Sequence, residues 1–148
     1  MNHGSSIVFN YENSDKEQIF SANLGRAIRI LSSCQCRQSS LSELAPYLWP
    51  AILLDQIRFL YNSKGIPVAF ITWAYLTNDV IDTITSNPSY VPDVSEWNEG
   101  DQFFIINITA PFRNVRSMAR KMRSLYFPNL RRICRNRRGS TKYINIRA

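Results

Sequence analysis

Pro67-Val68-Ala69-Phe70-Ile71-Thr72-Trp73-Ala74-Tyr75-Leu76 is the stretch on which the fold turns. From Val68 through Tyr75 it is apolar at nearly every position and rich in β-branched and aromatic side chains, which suits a strand covered on both faces and therefore central in its sheet. Even extended back to Ile66, the run falls well short of the roughly 20 residues that a membrane-spanning helix needs. Just upstream, Ile57 to Tyr61 reads as a shorter strand, and Asn62-Ser63-Lys64-Gly65 between the two reads as a tight turn. The three pieces predict an antiparallel hairpin.

Working outward, Phe20, Leu24, Ala27, Ile28 and Leu31 recur at helical spacing and predict a helix over about 17–32. Ser40-Leu41-Ser42-Glu43 has capping-box spacing, so a second helix is expected to start at Leu41, limited or bent by Pro46 and Pro50. Downstream of the hairpin, Asp79 to Thr85 reads as a short helix, 87–98 as a proline-containing excursion, and Gly100-Asp101 as a turn. Phe103 to Thr109 reads as a strand with Phe103, Ile105, Asn107 and Thr109 on one face and Phe104, Ile106 and Ile108 on the other. Asn107 thus interrupts an apolar strand, and a buried amide needs a hydrogen-bond partner or a site to serve. Val115, Met118, Ala119, Met122, Leu125 and Tyr126 form the clearest helical stripe. Arg131 to Arg135 and Lys142 to Arg147 read as a closing hairpin around Gly139-Ser140. This order predicts an α/β (α+β) domain, with residues 1–16 as a flexible lead-in and 17–148 as a single unit.

A chain of 148 residues, 45% apolar with 5 Gly and 7 Pro, is composed neither as a disordered tail nor as a fibrous repeat. Three Cys without a signal-peptide pattern predict reduced thiols and a cytosolic location. The net charge of +7 conceals a division. All 11 acids precede Arg113, against 6 basic residues there, which leaves −5, whereas the remaining 12 basic residues lie from Arg113 onward. Such a block favours an anionic partner. Nucleic acid is the weaker choice, because no zinc-finger, helix-turn-helix or RNP-type pattern accompanies the charge. His3, Cys34, Cys36 and Cys134 match no structural zinc spacing, so no metal is expected.

The segment Pro67 to Leu76, then Gly100-Asp101 leading to Thr109-Ala110-Pro111-Phe112, a basic helix and Phe127-Pro128, resembles the bacterial RTX toxin-activating lysine acyltransferases. Leu24-Gly25, Ser32-Ser33 and Pro50-Ala51-Ile52 extend the similarity over about residues 24–135. The resemblance implies a GNAT-like domain with a mostly antiparallel central sheet flanked by helices, often a homodimer, acting in the cytosol. It also implies transfer of a fatty acyl group from an acyl-acyl carrier protein to lysines of a protoxin, with no bound cofactor. Acyl carrier proteins are acidic, so the basic block has a docking role to fill.

In that family an essential His follows a Ser-Ser pair and an essential Asp lies four residues before the Pro of A-P-F. Alignment puts Cys36 and Asn107 at those places, and the family's Gly-rich segment after the last aligned strand has no counterpart before Ala148. A neutral amide and a missing imidazole cannot perform the usual general-base chemistry. Cys36 could instead accept an acyl group as a thioester, helped by Arg37, with Asn107 orienting it or stabilising the oxyanion. The alternative is that Cys34 and Cys36 are inert thiols. Ser33, Arg37, Trp73, Phe112, Arg120 and Lys121 are the expected substrate-binding residues. The substitutions, together with length, also resemble a subgroup found with siderophore-carrying microcins. There a second maturation protein helps attach a siderophore conjugate to the C-terminal Ser of the precursor. A non-catalytic binder of nucleic acid or another anionic surface is the remaining reading.

Overall fold

The computed structural model describes residues 14–33, 41–87, 89–110, 115–128, 132–137 and 140–145, the last two segments by their backbone. Helix α1 spans Ser14–Ser33 and opens with Asp15 and Glu17, whose charges oppose the positive end of the helix dipole. Ala27 and Ile30 are its fully enclosed residues, with Phe20, Leu24 and Leu31 packed beside them. Ile28, expected on the inward stripe, lies at its edge and is exposed, and Ile30 takes the inward place instead.

Helix α2, Leu41–Leu53, runs through both Pro46 and Pro50. The prolines were expected to curtail it, but Leu48, Ala51 and Ile52 bury against the sheet and hold the turns whose amide donors are missing. Two residues past its last position, Asp55 takes a left-handed φ of 54°. Asp55 N–H and Gln56 N–H then return to the Ile52 and Ala51 carbonyls, which closes the helix end.

Strands β1 (Ile57–Tyr61) and β2 (Pro67–Leu76) form the expected antiparallel hairpin, turned by Gly65 at φ 71° and by Asn62, whose side-chain oxygen accepts from Lys64 and Ile66 N–H. Helix α3 spans Asn78–Ser86 and is capped by the Thr77 hydroxyl. Within the excursion that follows, a short 3-10 helix, Val94–Asn98, carries a capping box from Asp93 and Glu96 and delivers Trp97, fully enclosed, to the core. Gly100 then passes so close to β2 that a Cβ would lie 2.0 Å from the Leu76 carbonyl carbon, which no side chain tolerates.

Strand β3 (Gln102–Thr109) pairs antiparallel with β2, helix α4 (Val115–Tyr126) crosses over, and β4 (Arg132–Arg137) lies parallel to β3. Strand β5 (Ser140–Asn145) returns antiparallel to β4, giving one five-stranded sheet in the order β1-β2-β3-β4-β5. The domain is therefore α+β, with a mostly antiparallel sheet and helices on both sides. Helices α1, α2 and α3 and Trp97 pack with Phe70, Ala74, Leu76 and Phe104 on one face. Met122 of α4 packs with Ile71, Trp73, Phe103 and Ile105 on the other.

The face assignment of β3 needs correction. Thr72 opposes Asn107 and Trp73 opposes Ile105, so Ile106 is an extra residue on β3. This β-bulge reverses the alternation beyond it. Asn107 and Thr109, opposite Thr72 and Phe70, therefore share the α1 face with Phe104, whereas Phe103 and Ile105 line the α4 face. Ile108 sits with the α4-face cluster and Ile106 with the α1-face cluster, which completes the exchange.

Candidate functional site

The bulge decides where the site lies. Without it, Asn107 would point with Ile105 into the aromatic cluster under α4, where an amide would find no partner. Turned to the other face, it stands half-buried, its Nδ2 donating to Thr109 Oγ1 at 3.1 Å. Pairing of β3 with β4 covers Phe104–Cys134 and Ile105–Arg135, so it stops at the residue before the bulge. Ile106 consequently has a ladder partner on neither side among the described residues.

Directly across the ladder from Asn107 is Thr72, 1% exposed, whose Oγ1 is enclosed and has no hydrogen-bond partner among the described residues. Leaving a buried hydroxyl unpaired costs about 1–3 kcal/mol. The α1 face thus holds three polar side chains, Thr72, Asn107 and Thr109, within an apolar core. Two further enclosed atoms on this side of the molecule, Trp97 Nε1 and Gln56 Oε1, also lack partners among the described residues, although Gln56 Nε2 does bond Asn98 Oδ1.

The expected site residues divide between the two faces. Ser33 is the last residue of α1, and its hydroxyl donates to the carbonyl of Ile30 at 2.9 Å, closing its own helix. Because Ala27 and Ile30 pack on β2 from the α1 side, that helix belongs to the same face as Asn107. Trp73 belongs to the opposite face, 5% exposed, stacked on Phe103 at 6.0 Å and meeting Phe127 edge-on at 4.8 Å. Arg58 lies over its ring at 5.4 Å while pairing with Asp55 at 2.9 Å. Arg120 and Lys121 are exposed on α4, which Tyr126 pins to β1 by donating its hydroxyl to the Phe59 carbonyl at 2.6 Å. Leu125, expected on the inward stripe of α4, is 57% exposed, whereas Met122 is fully enclosed. Cys36, Arg37 and Phe112 lie outside the described residues, as do His3 and Cys34.

Chemically, the described part of the site offers hydrogen-bond donors and no base. Asn107 has no proton to lose at neutral pH, and no His is among the described residues. No group of three or more His, Cys, Asp or Glu there could hold a metal ion. The perturbed titrations belong to the 90–96 loop. Tyr90 donates to both Glu96 oxygens, at 2.6 and 2.7 Å, which raises its pKa above 10.0. Asp93 accepts from Ser95 N–H and hydroxyl, which holds its pKa below 3.8. Both serve the cap of the 3-10 helix.

Sequence reasoning missed Thr72. The signal available was its position as the one aliphatic hydroxyl inside an otherwise largely apolar central strand. No helix of the described residues is long and apolar enough to cross a membrane.

Comparison with known proteins agrees with this architecture. A family profile described as "HlyC: RTX toxin acyltransferase family" matches residues 16–147. Lysine-acyltransferase RtxC of Vibrio cholerae is 28% identical over 91 residues, covering 62% of this chain and 59% of that protein. RTX-III toxin-activating lysine-acyltransferase ApxIIC of Actinobacillus pleuropneumoniae is 35% identical over 98 residues, 63% of this chain and 52% of its own length. Leukotoxin-activating lysine-acyltransferase LtxC of Aggregatibacter actinomycetemcomitans is 33% identical over 111 residues, with 72% and 62% covered. The chain spans about half to three fifths of the length of these relatives.

Proposed function

The chain belongs to the RTX toxin acyltransferase family, and from that premise we propose that it matures a gene-encoded bacterial toxin or microcin precursor in the cytosol through a changed reaction centre. The observation that carries the change is Asn107. The motif resemblance aligns it with the family's acid, and its amide donates one hydrogen bond to Thr109. A residue so placed can orient a carbonyl or stabilise negative charge, but it cannot take a proton from an incoming amine. Loss of the base fits an acceptor other than lysine. The reading followed here is attachment of a siderophore conjugate to the C-terminal Ser of a microcin precursor, carried out with a second maturation protein.

Fatty acyl transfer from an acyl carrier protein to lysines of a protoxin is the second reading. The printed names of the relatives favour it, as does the basic helix α4, whose exposed Arg120 and Lys121 suit an acidic carrier. On that reading Cys36 is the candidate thioester-forming nucleophile. The non-catalytic alternative, binding of nucleic acid or another anionic surface by the basic block, predicts steep loss of binding with added salt and indifference to Cys36 and Asn107.

Intact-mass analysis separates these readings. Purified precursor is incubated with this chain, with and without the partner protein, and with either donor. A mass gain equal to the siderophore conjugate, dependent on both proteins, supports the first reading. A gain equal to a fatty acyl chain with carrier protein alone supports the second. Modification unaffected by omission of this chain rejects both.

A further inference from the structure

We propose that Thr72 and Asn107 together form a two-donor cradle for the carbonyl oxygen of the transferred acyl group, with the Thr72 hydroxyl as the donor that Asn107 alone does not supply. The proposal rests on the acyl-transfer reading above and goes beyond it by giving a role to Thr72, which lies within the segment that carries the resemblance but to which the resemblance assigned no function.

Three observations converge on this cradle. First, Thr72 is 1% exposed and its Oγ1 has no partner among the described residues, so a proton donor is held in the core with nothing to bind. Second, Asn107 is its direct partner across the antiparallel ladder, which places the two Cβ atoms about 4.5–5.5 Å apart on one face. An oxygen between them lies within reach of both side chains. Third, Asn107 Nδ2 carries two protons and gives one to Thr109 Oγ1, which fixes the plane of the amide and leaves the second proton available. The bulge at Ile106 is what brings the pair together, since regular alternation would set Asn107 on the far side of the sheet from Thr72.

The chemistry then balances without any further reactant. The acceptor's nucleophilic atom adds to the thioester carbon, and the π electron pair of the C=O bond moves onto oxygen. That oxyanion accepts from Thr72 Oγ1–H and Asn107 Nδ2–H. When the C=O bond re-forms, the C–S bond breaks, and the departing thiolate takes up the proton released by the acceptor. Donors fixed in advance in a water-poor site favour the charged intermediate over the neutral thioester, so they act on the rate rather than on binding.

Thr72→Val tests this, because the two side chains have nearly the same shape and the variant loses only the hydroxyl. The probe is octanoyl-loaded acyl carrier protein with the purified toxin precursor as acceptor, and thiol release is followed over time. The expected result is a fall in kcat of about a hundredfold with KM unchanged, and recovery of most of the rate in Thr72→Ser. The thermal midpoint of Thr72→Val is expected at or above that of the wild type, since an unpaired buried hydroxyl has been removed. In the double variant with Asn107→Ala, the loss is expected to be smaller than the product of the two single losses. Thiol release by Thr72→Val equal to wild type overturns the cradle while leaving the acyl-transfer reading intact. A lowered midpoint with parallel loss of rate assigns the hydroxyl to structure and overturns it as well. A wild type that leaves the thioester untouched removes the acyl-transfer reading and the cradle with it.

Discussion

On the α1 side of the sheet the buried set is mixed: Phe70, Ala74, Leu76 and Trp97 surround Thr72 and Thr109, and Asn107 stands beside them. On the α4 side the buried set is apolar, with Trp73, Phe103 and Ile105 against Met122 and the ring of Phe127 closing the cluster. The charges differ in the same sense. Acids such as Glu17, Asp79 and Asp93 accompany the α1 side, whereas α4 carries Arg120, Lys121 and Arg123. Polar groups inside a core are retained at a cost, so their place on one face separates a side that keeps polar groups in its core from a side that packs and displays charge.

That division is open to direct attack. Phe70→Ala, at a fully enclosed position on the α1 side, is expected to cost about 3–5 kcal/mol, read as a shift in the urea midpoint. Met122→Ala removes a fully enclosed side chain of α4 and is expected to cost about 2–3 kcal/mol. Hydrogen exchange distinguishes the two faces: amides of α4 should lose protection in Met122→Ala while those of α1 keep theirs. Equal loss in both helices would show that the two clusters are one cooperative core. Tyr126→Phe is smaller again. It deletes the hydrogen bond to the Phe59 carbonyl and is expected to cost about 1 kcal/mol, with faster exchange confined to the end of α4.

Much of this division was legible from residue spacing, and its failures are instructive. The hairpin of β1 and β2 was readable because Asn62 and Gly65 demand a turn and because β2 has no polar face to offer solvent. The phase of α1 was readable except at its edge, where Ile30 rather than Ile28, two positions away, faces inward. The bulge at Ile106 was not readable. Period-two alternation has no means of announcing an inserted residue, and the hydrophobic character of Ile105, Ile106 and Ile108 is compatible with either face. As a result the face of Asn107, on which the candidate site depends, came out reversed. Trp97 was likewise hidden within a proline-containing excursion, where no periodicity marks a core residue. In α2 the prolines suggested an interruption that tertiary packing of Leu48, Ala51 and Ile52 overrides. The separation of Trp73 from Asn107 by the thickness of the sheet follows from the same bulge, and motif order along the chain carries no information about it.

The weakest expected effect concerns the acidic character of the α1 side and is read through pH. Asp93 caps the 3-10 helix that holds Trp97 in the core, and its hydrogen bonds from Ser95 keep its pKa below 3.8 in the folded chain. In the unfolded chain those bonds are absent and the carboxyl returns to its ordinary value. The folded state therefore gains from the ionised form: the contribution is fully present above the unfolded pKa and is lost as pH falls through the lower, folded pKa. Asp93→Asn keeps an oxygen that can cap the helix but removes the titration. The difference in urea midpoint between wild type and Asp93→Asn should be constant from about pH 6 to pH 5 and shrink progressively below about pH 4. Phe70→Ala and Met122→Ala should show no such change in their differences from wild type, since neither removes a titrating group. A difference from wild type that stays flat to about pH 2.5, about one unit under the ordinary carboxylate range, would mean that ionisation of Asp93 adds nothing to the cap that holds Trp97 in place.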